Sequence, residues 1–227
     1  MESHLNIIQR SVAYLRWSYI LRIRRIILHL TFQKSIFKME SKSIIDWCYD
    51  LVFYVFDLLL LPEVYEFFIT LTKSDYRFLS KEEKEIAYQY FGNSVKLDFV
   101  RVNTQMSKYI EKKAHAYVTL NTINYRRSIS KPIFIHEMVH IWQYQRFGSM
   151  YIFRALKAQN SSEKYDYGGS ENLYSCMIKH QKFTDFNFEQ QGAIIEDYAR
   201  LAEQEDSFRS PIVDASYEYY ISQLQYL

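Results

Sequence analysis

Glycine, proline and cysteine are all scarce in this sequence: its 227 residues include 5 Gly, 3 Pro and 2 Cys. Ordinary usage would give roughly 16 glycines and 11 prolines. Few turns are therefore written with their usual residues, and long helices are favoured. Two cysteines, Cys48 and Cys176, are too few for a disulfide scaffold or a cysteine-rich zinc site. We read them as buried free thiols. An excess of one charge is also missing. Lys+Arg 28 against Asp+Glu 26 leaves +2, too balanced for nucleic-acid binding by bulk electrostatics, so no nucleic-acid partner is expected. There is no internal repeat and no low-complexity tract. The opening MESHLNIIQRSVAYLRWSYILRIRRIILHL sets its arginines inside and after the apolar residues and offers no small-residue cleavage site. It lacks the order of a signal peptide. The expected location is cytoplasmic, or outside the cell by a specialised secretion system.

Aromatic residues are abundant, at 18% with 21 Tyr and 16 Phe. A hydrophobic content of 48% with 24% charged residues is ordinary globular composition and excludes a mainly disordered chain. The length suits one domain with a helical extension.

Residues 1 to about 32 read as a basic, aromatic helix. Arg16, Arg22, Arg24 and Arg25 point in different helical directions and make no single basic face, so contact of this helix with a membrane surface is not favoured. Residues 43–71 are the most apolar part of the chain, but Asp46, Asp50 and Asp57 fall within about 40° on one helix face. Three acids and Pro62 argue for a core helix with an acidic stripe rather than a membrane span. The stripe is expected to face solvent, with pairing to the basic first helix as the alternative.

Ser80 and Glu83 form a capping-box pattern, predicting a helix from Lys81 to Phe91 that stops at Gly92. Residues 95–103 and 115–126 are rich in Val, Tyr, Thr and Phe with partial alternation, predicting two strands of one small sheet. From Lys131 onward the chain reads as helical, broken near Gly148, between Asn160 and Ser170, and near Pro211.

The chemistry lies in IFIHEMVHIW, residues 133–142. His136 and His140 are four apart, so on a helix they share a face and can share a metal. Glu137, beside the first histidine, can take a proton from the water the metal activates without being a ligand. Ile135, Met138, Val139 and Ile141 give the apolar setting of a buried helix. A catalytic zinc needs a third protein ligand. One class would place Gly at 143 and His at 146; Gln143 and Arg146 exclude it. A downstream glutamate is the other solution, and Glu163, Glu171, Glu189 and Glu196 are the candidates. Glu163 falls in a polar loop and Glu171 at a helix start. Glu189 and Glu196, seven apart, share one face of a helix over 186–204. Gly192 and Ala193 would let another helix approach beside Glu189, and Arg200 gives Glu196 a local partner. These features favour Glu189, with Glu196 the alternative. Asp197 is weighed as a residue that orients a ligand histidine. Tyr165, Tyr167 and Tyr198 are weighed as oxyanion donors.

Four segments together, FGNSVKLDFVRV (91–102), FIHEMVHIWQYQRFGSMY (134–151), YDYGG (165–169) and FNFEQQGAIIEDYARL (186–201), resemble the zinc-metallopeptidase-type domains of bacterial hypothetical proteins. Some relatives of those domains are linked to Rhs and Vgr secretion proteins. The resemblance covers roughly residues 80–202. It implies a gluzincin-like, HExxH-plus-Glu domain in which Glu189 is the third ligand.

The expectation is thus an α+β, predominantly helical, zincin-like metallopeptidase domain with a small sheet (79–227), preceded by a helical N-terminal extension (1–78). Zn²⁺ would be held by His136, His140 and Glu189, with Glu137 as general base and a peptide or protein as substrate. The strand near 115–125 would be the edge alongside which a peptide lies. The rival readings are a zinc-binding structural or interaction protein without turnover, and a zinc hydrolase of a different bond.

Overall fold

The long helices favoured by scarce glycine and proline are present. The computed structural model describes residues 4–31, 43–72, 76–106, 114–203 and 210–226. Three helices come first: α1 (His4–Leu30), α2 (Ile44–Leu58) and α3 (Leu61–Thr72). A short strand β1 (Tyr76–Phe78) leads into α4 (Lys81–Phe91). Strands β2 (Arg101–Asn103), β3 (Ala116–Thr119) and β4 (Thr122–Tyr125) follow. The chain ends in α5 (Lys131–Phe147), α6 (Met150–Gln159), α7 (Gly169–Ile178), α8 (Phe188–Leu201) and α9 (Pro211–Tyr226). The architecture is α+β and mostly helical.

The predicted capping box is formed. Ser80 Oγ accepts from Glu83 N at 3.1 Å, and Glu83 Oε2 accepts from Ser80 N at 2.8 Å. Arg77 of β1 grips the same Glu83 carboxylate, which ties the strand to the helix start. Ser80→Ala is expected to lower stability by about 1 kcal/mol, read as a shift in the urea midpoint without a change in slope.

The strands form one sheet in the order β1-β2-β4-β3, with β2 and β4 parallel and the outer pairs antiparallel. Three details differ from the sequence reading. Residues 97–99 form a 3₁₀ turn, so only the end of the segment 95–103 is a strand. The segment 115–126 is a hairpin, folded at Leu120 and Asn121, not one strand. The strand β1 had no sequence signal. It lies before residue 79, yet it forms an edge of the sheet by pairing with β2.

Helix α5 is buried on almost every side. It runs between the sheet and α8, with α6 and α4 also against it. Apart from the site residues, its polar side chains are Lys131, at its start, and Gln145 and Arg146, near its end; the stretch between is apolar, as a core helix requires. Phe134, Ile135, Met138, Ile141, Trp142 and Phe147 are its main contributions to the core.

The acidic stripe of α2 does not face solvent. Asp46, Asp50 and Asp57 are 2%, 2% and 1% exposed. Asp46 and Asp50 pair with Lys157 and Arg154 of α6. Asp57 accepts from Ser149 N and lies 3.9 Å from Arg25 of α1. Burial pushes the Asp57 carboxyl above the usual carboxylate range, against the pull of Arg25 and the Ser149 amide. Pairing with the first helix thus accounts for one of the three acids. The other two are held by cations about a hundred residues later, which no local pattern announces. Both cysteines are free, and only Cys176 is buried; Cys48 is exposed because it lies on the face of α2 opposite the aspartates.

Candidate metal centre

Helix α5 begins at Ser130 with Pro132 in its first turn, where the missing N–H costs nothing. That start fixes the rotation of the helix, and His136 and His140 emerge together on the side that meets α8. Their ring centroids are 5.1 Å apart. Helix α8 begins at Asn187, whose side chain accepts from Glu189 N and Gln190 N at 2.9 and 2.8 Å. Gln190 returns a bond to Asn187 N at 3.0 Å. This cap sets Glu189 in the first turn, where the helix dipole favours a carboxylate.

His136, His140 and Glu189 are the one group of potential metal ligands identified among the described residues. One ligand atom from each lies within 4.8 Å of the others. Glu189 Oε2 is 3.6 Å from His136 Nε2 and 3.6 Å from His140 Nε2. That is too long for a hydrogen bond. It is close to the separation of about 3.4 Å between two ligands each about 2.05 Å from a tetrahedral ion. Glu189 is 1% exposed, and its Oε2 has no hydrogen-bond partner. The other oxygen, Oε1, accepts from Gln159 Nε2 of α6 at 2.9 Å. One carboxylate oxygen is therefore anchored, and the other is aimed at both imidazoles with nothing to bond it. A divalent cation held there would satisfy that orphaned atom, and a two-imidazole, one-carboxylate donor set is one that zinc accepts.

The hydrogen bonds around the site fix which histidine nitrogen is available. Gln143 Nε2 donates to Phe188 O and to Gln191 Oε1, both at 3.0 Å. Gln191 Nε2 donates in turn to Phe186 O at 2.9 Å. With both amide hydrogens used, Gln143 presents only its oxygen to His140 Nδ1, at 2.7 Å. His140 Nδ1 must therefore carry the proton, which leaves Nε2 with its lone pair toward Glu189. On His136 the corresponding neighbour is Glu196, whose Oε2 lies 2.9 Å from Nδ1. The approach is close but too oblique to count as a hydrogen bond.

Electrostatics follow from this crowding. Burial alone would push His136 down, but Glu189, Glu196 and Glu137 together raise it to about 10 without a metal. His140 is raised by Glu189 against the same burial penalty. Burial also opposes ionisation of Glu189, yet the two histidines hold it well below the usual carboxylate range. Burial pushes Glu137 up, against the pull of His140 and His136. Glu137 Oε2 has no hydrogen-bond partner. These are the charges of a cluster in which a proton stands where a cation would.

The other candidates from the sequence lie outside the ligand cluster. Glu163 and Glu171 are exposed. Asp197 takes the Tyr167 hydroxyl at 2.6 Å and does not orient a histidine. Tyr167 is also bonded to Tyr217. Tyr198 packs edge-on against Tyr90. Tyr165 is the tyrosine of the three that stands over the site, its ring 6.0 Å from that of His136. Two supporting residues, Gln143 and Gln159, have no role in the sequence reading. Gln143 lies three residues beyond His140, on the histidine face, and was read only as the absence of glycine. Glu196, the alternative ligand of the sequence reading, is one heptad past Glu189 on the same helix face and lies against His136 Nδ1, outside the ligand cluster.

No family model, no curated protein and no solved structure matches the chain. The functional reading therefore rests on the geometry of this cluster.

Proposed function

We propose that this protein is a zinc-dependent hydrolase of the metallopeptidase type, with His136, His140 and Glu189 as ligands and Glu137 as general base. The observation that carries the reading is the buried Glu189 Oε2, equidistant from two imidazole nitrogens and bonded to nothing. When bound, zinc polarises a carbonyl and makes water nucleophilic near neutral pH. The chain's own contributions can be assigned. Gln143 holds the His140 tautomer, and Gln159 holds the Glu189 carboxylate. Glu137 takes the proton of the attacking water and passes it to the leaving amine; its burial raises the carboxyl toward the range a general base needs. The Tyr165 hydroxyl is the donor for the developing oxyanion. The end strand β3, which packs on α5, is the edge a peptide backbone would join. A zincin-like fold belongs to this same proposal.

One observation favours a second reading, a zinc protein without turnover: His136, Glu137 and His140 are only 7%, 6% and 6% exposed. The two readings part on one experiment. Purified wild type is expected to carry one zinc per chain by elemental analysis, lost in His140→Ala and in Glu189→Ala. Glu137→Gln is expected to keep the zinc and lose about 100-fold or more in cleavage of a peptide library. Zinc without cleavage in the wild type selects the structural reading. A wild type that takes up no zinc overturns both.

A further inference from the structure

Helices α1, α2 and α3 are built inside out. On α2 the inward side carries the three aspartates, while Ile45, Val52 and Leu59 face the opposite way at 63%, 46% and 61% exposure. On α1 the inward side carries Arg22 and Arg25, both buried, beyond the core residue Tyr14, and Ile20 faces outward at 73%. On α3 Glu63 and Glu66 turn inward to Arg22 and Arg101, and Phe68 faces outward at 61%. A water-facing helix has the reverse arrangement. Most of the exposed large apolar side chains among the described residues belong to these three helices. Three helices about 10 Å wide and some 15 residues long cover on the order of 600 Å². That is at the top of the range for the largest patch on a soluble monomer.

The charges on this face select the occupant. No acidic side chain described on α1–α3 is exposed; each is buried or half-buried against an arginine or lysine. The sequence reading set membrane contact aside because four arginines of α1 point in different directions; Arg22 and Arg25 are buried, and the exposed pair, Arg16 and Arg24, lies within about 80° around the helix. A second copy of the same face would set Arg16 against a surface on which no described acid is exposed. A bilayer with anionic headgroups meets both features, taking the apolar side chains into the acyl boundary and the cations into the headgroup layer. Among the described residues no helix is long and apolar enough to cross a membrane, so these helices would lie in the surface.

We propose that the outward face of α1–α3 docks this protein on the surface of an anionic lipid bilayer. The test is co-flotation of the full chain with vesicles of phosphatidylcholine alone and with 30% phosphatidylserine. The wild type is expected to float with the anionic vesicles, at least tenfold more strongly than with neutral ones, and less as salt rises. Ile20→Glu/Ile45→Glu/Phe68→Glu alters side chains that make little contact with the core. It is expected to lose binding at least tenfold with its helical circular dichroism and zinc content unchanged. Arg16→Ala is expected to weaken binding to anionic vesicles and leave neutral ones unaffected, which keeps the test open should the triple variant fold poorly. Wild type that stays at the bottom of the gradient with both vesicle types overturns the proposal. If light scattering then shows a dimer that the triple variant abolishes, the face is a contact between copies. The metal reading is untouched by any of these outcomes.

Discussion

Gly192→Ala is expected to abolish zinc binding while leaving the chain folded. Gly192 faces His136 across the contact between α8 and α5. A Cβ built there would lie 2.6 Å from His136 Cε1, 2.7 Å from Nε2 and 2.9 Å from Nδ1. All three contacts are on the imidazole, and none is on backbone. The ring would have to move by most of an ångström, because real carbon contacts of this kind are about 3.5 Å or longer. The fold can absorb that for about 1–3 kcal/mol by swinging one side chain. The site cannot, because Nε2 must stay equidistant with its partner nitrogen from Glu189 Oε2. Removing a residue that merely orients a ligand already costs 10- to 100-fold in metal affinity. Displacing a ligand itself should cost at least that. The measurement is zinc per chain after dialysis against a weak chelator, beside far-ultraviolet circular dichroism. Ala193→Gly, one position around the helix, is the control. It pays a helix-propensity penalty of about 1 kcal/mol and should keep its zinc. Full zinc occupancy in Gly192→Ala would remove His136 Nε2 from the ligand set.

The site was more legible in the sequence than the frame that holds it. The spacing of His136 and His140 reports a shared helix face directly, and the small residues Gly192 and Ala193 beside Glu189 reported a close helix approach. Both are local facts, and the structure puts α5 against α8 at Gly192. What the sequence hid was decided by distant partners. The α2 pattern told which residues share a face, but not which face turns inward. With Ile, Val and Phe on one side and three aspartates on the other, hydrophobicity alone assigns the wrong side. Arg154 and Lys157, on the next helix but three, reverse it. The β3–β4 hairpin was illegible for a different reason. Its turn residue Leu120 takes a left-handed backbone, φ 56, which glycine or asparagine normally marks. Leu120 is 3% exposed, and its N–H is held by the Tyr151 hydroxyl at 3.2 Å. Core packing, not turn chemistry, places that reversal.

The same dependence on distant partners makes Gly148→Ala the substitution expected to destabilise the chain most, by about 3–5 kcal/mol. Gly148 joins α5 to α6 with φ 80 and ψ −167, a region that residues with a side chain enter at a cost of about 1–3 kcal/mol. Its surroundings add a clash. A Cβ there would lie 2.0 Å from Asp57 Oδ2 and 2.8 Å from Arg25 Nη1. Neither group is free to retreat. Arg25 donates to the last carbonyls of α5, Arg146 O at 2.9 Å and Gln145 O at 2.7 Å. Asp57 receives Ser149 N at the start of α6. One buried cation thus closes the end of one helix, and one buried carboxylate opens the next, with glycine as the only residue that fits between them. A loss of this size should lower the melting temperature by about 10 °C in a chain of this length. A double-mutant cycle with Asp57→Ala separates the two causes. If the clash contributes, the double variant is less unstable than the sum of the singles by more than 1 kcal/mol; strict additivity would assign the whole cost to the backbone. The corner is eight residues from His140, about 12 Å along the helix, so zinc per folded chain should not change. On the proposed metal reading, added zinc should raise the melting temperature of this variant and of the wild type alike, because the corner leaves the ligands of the folded state in place. A variant that loses zinc while still folded would instead show that the corner sets the angle at which α6, through Gln159, holds Glu189 against the two histidines.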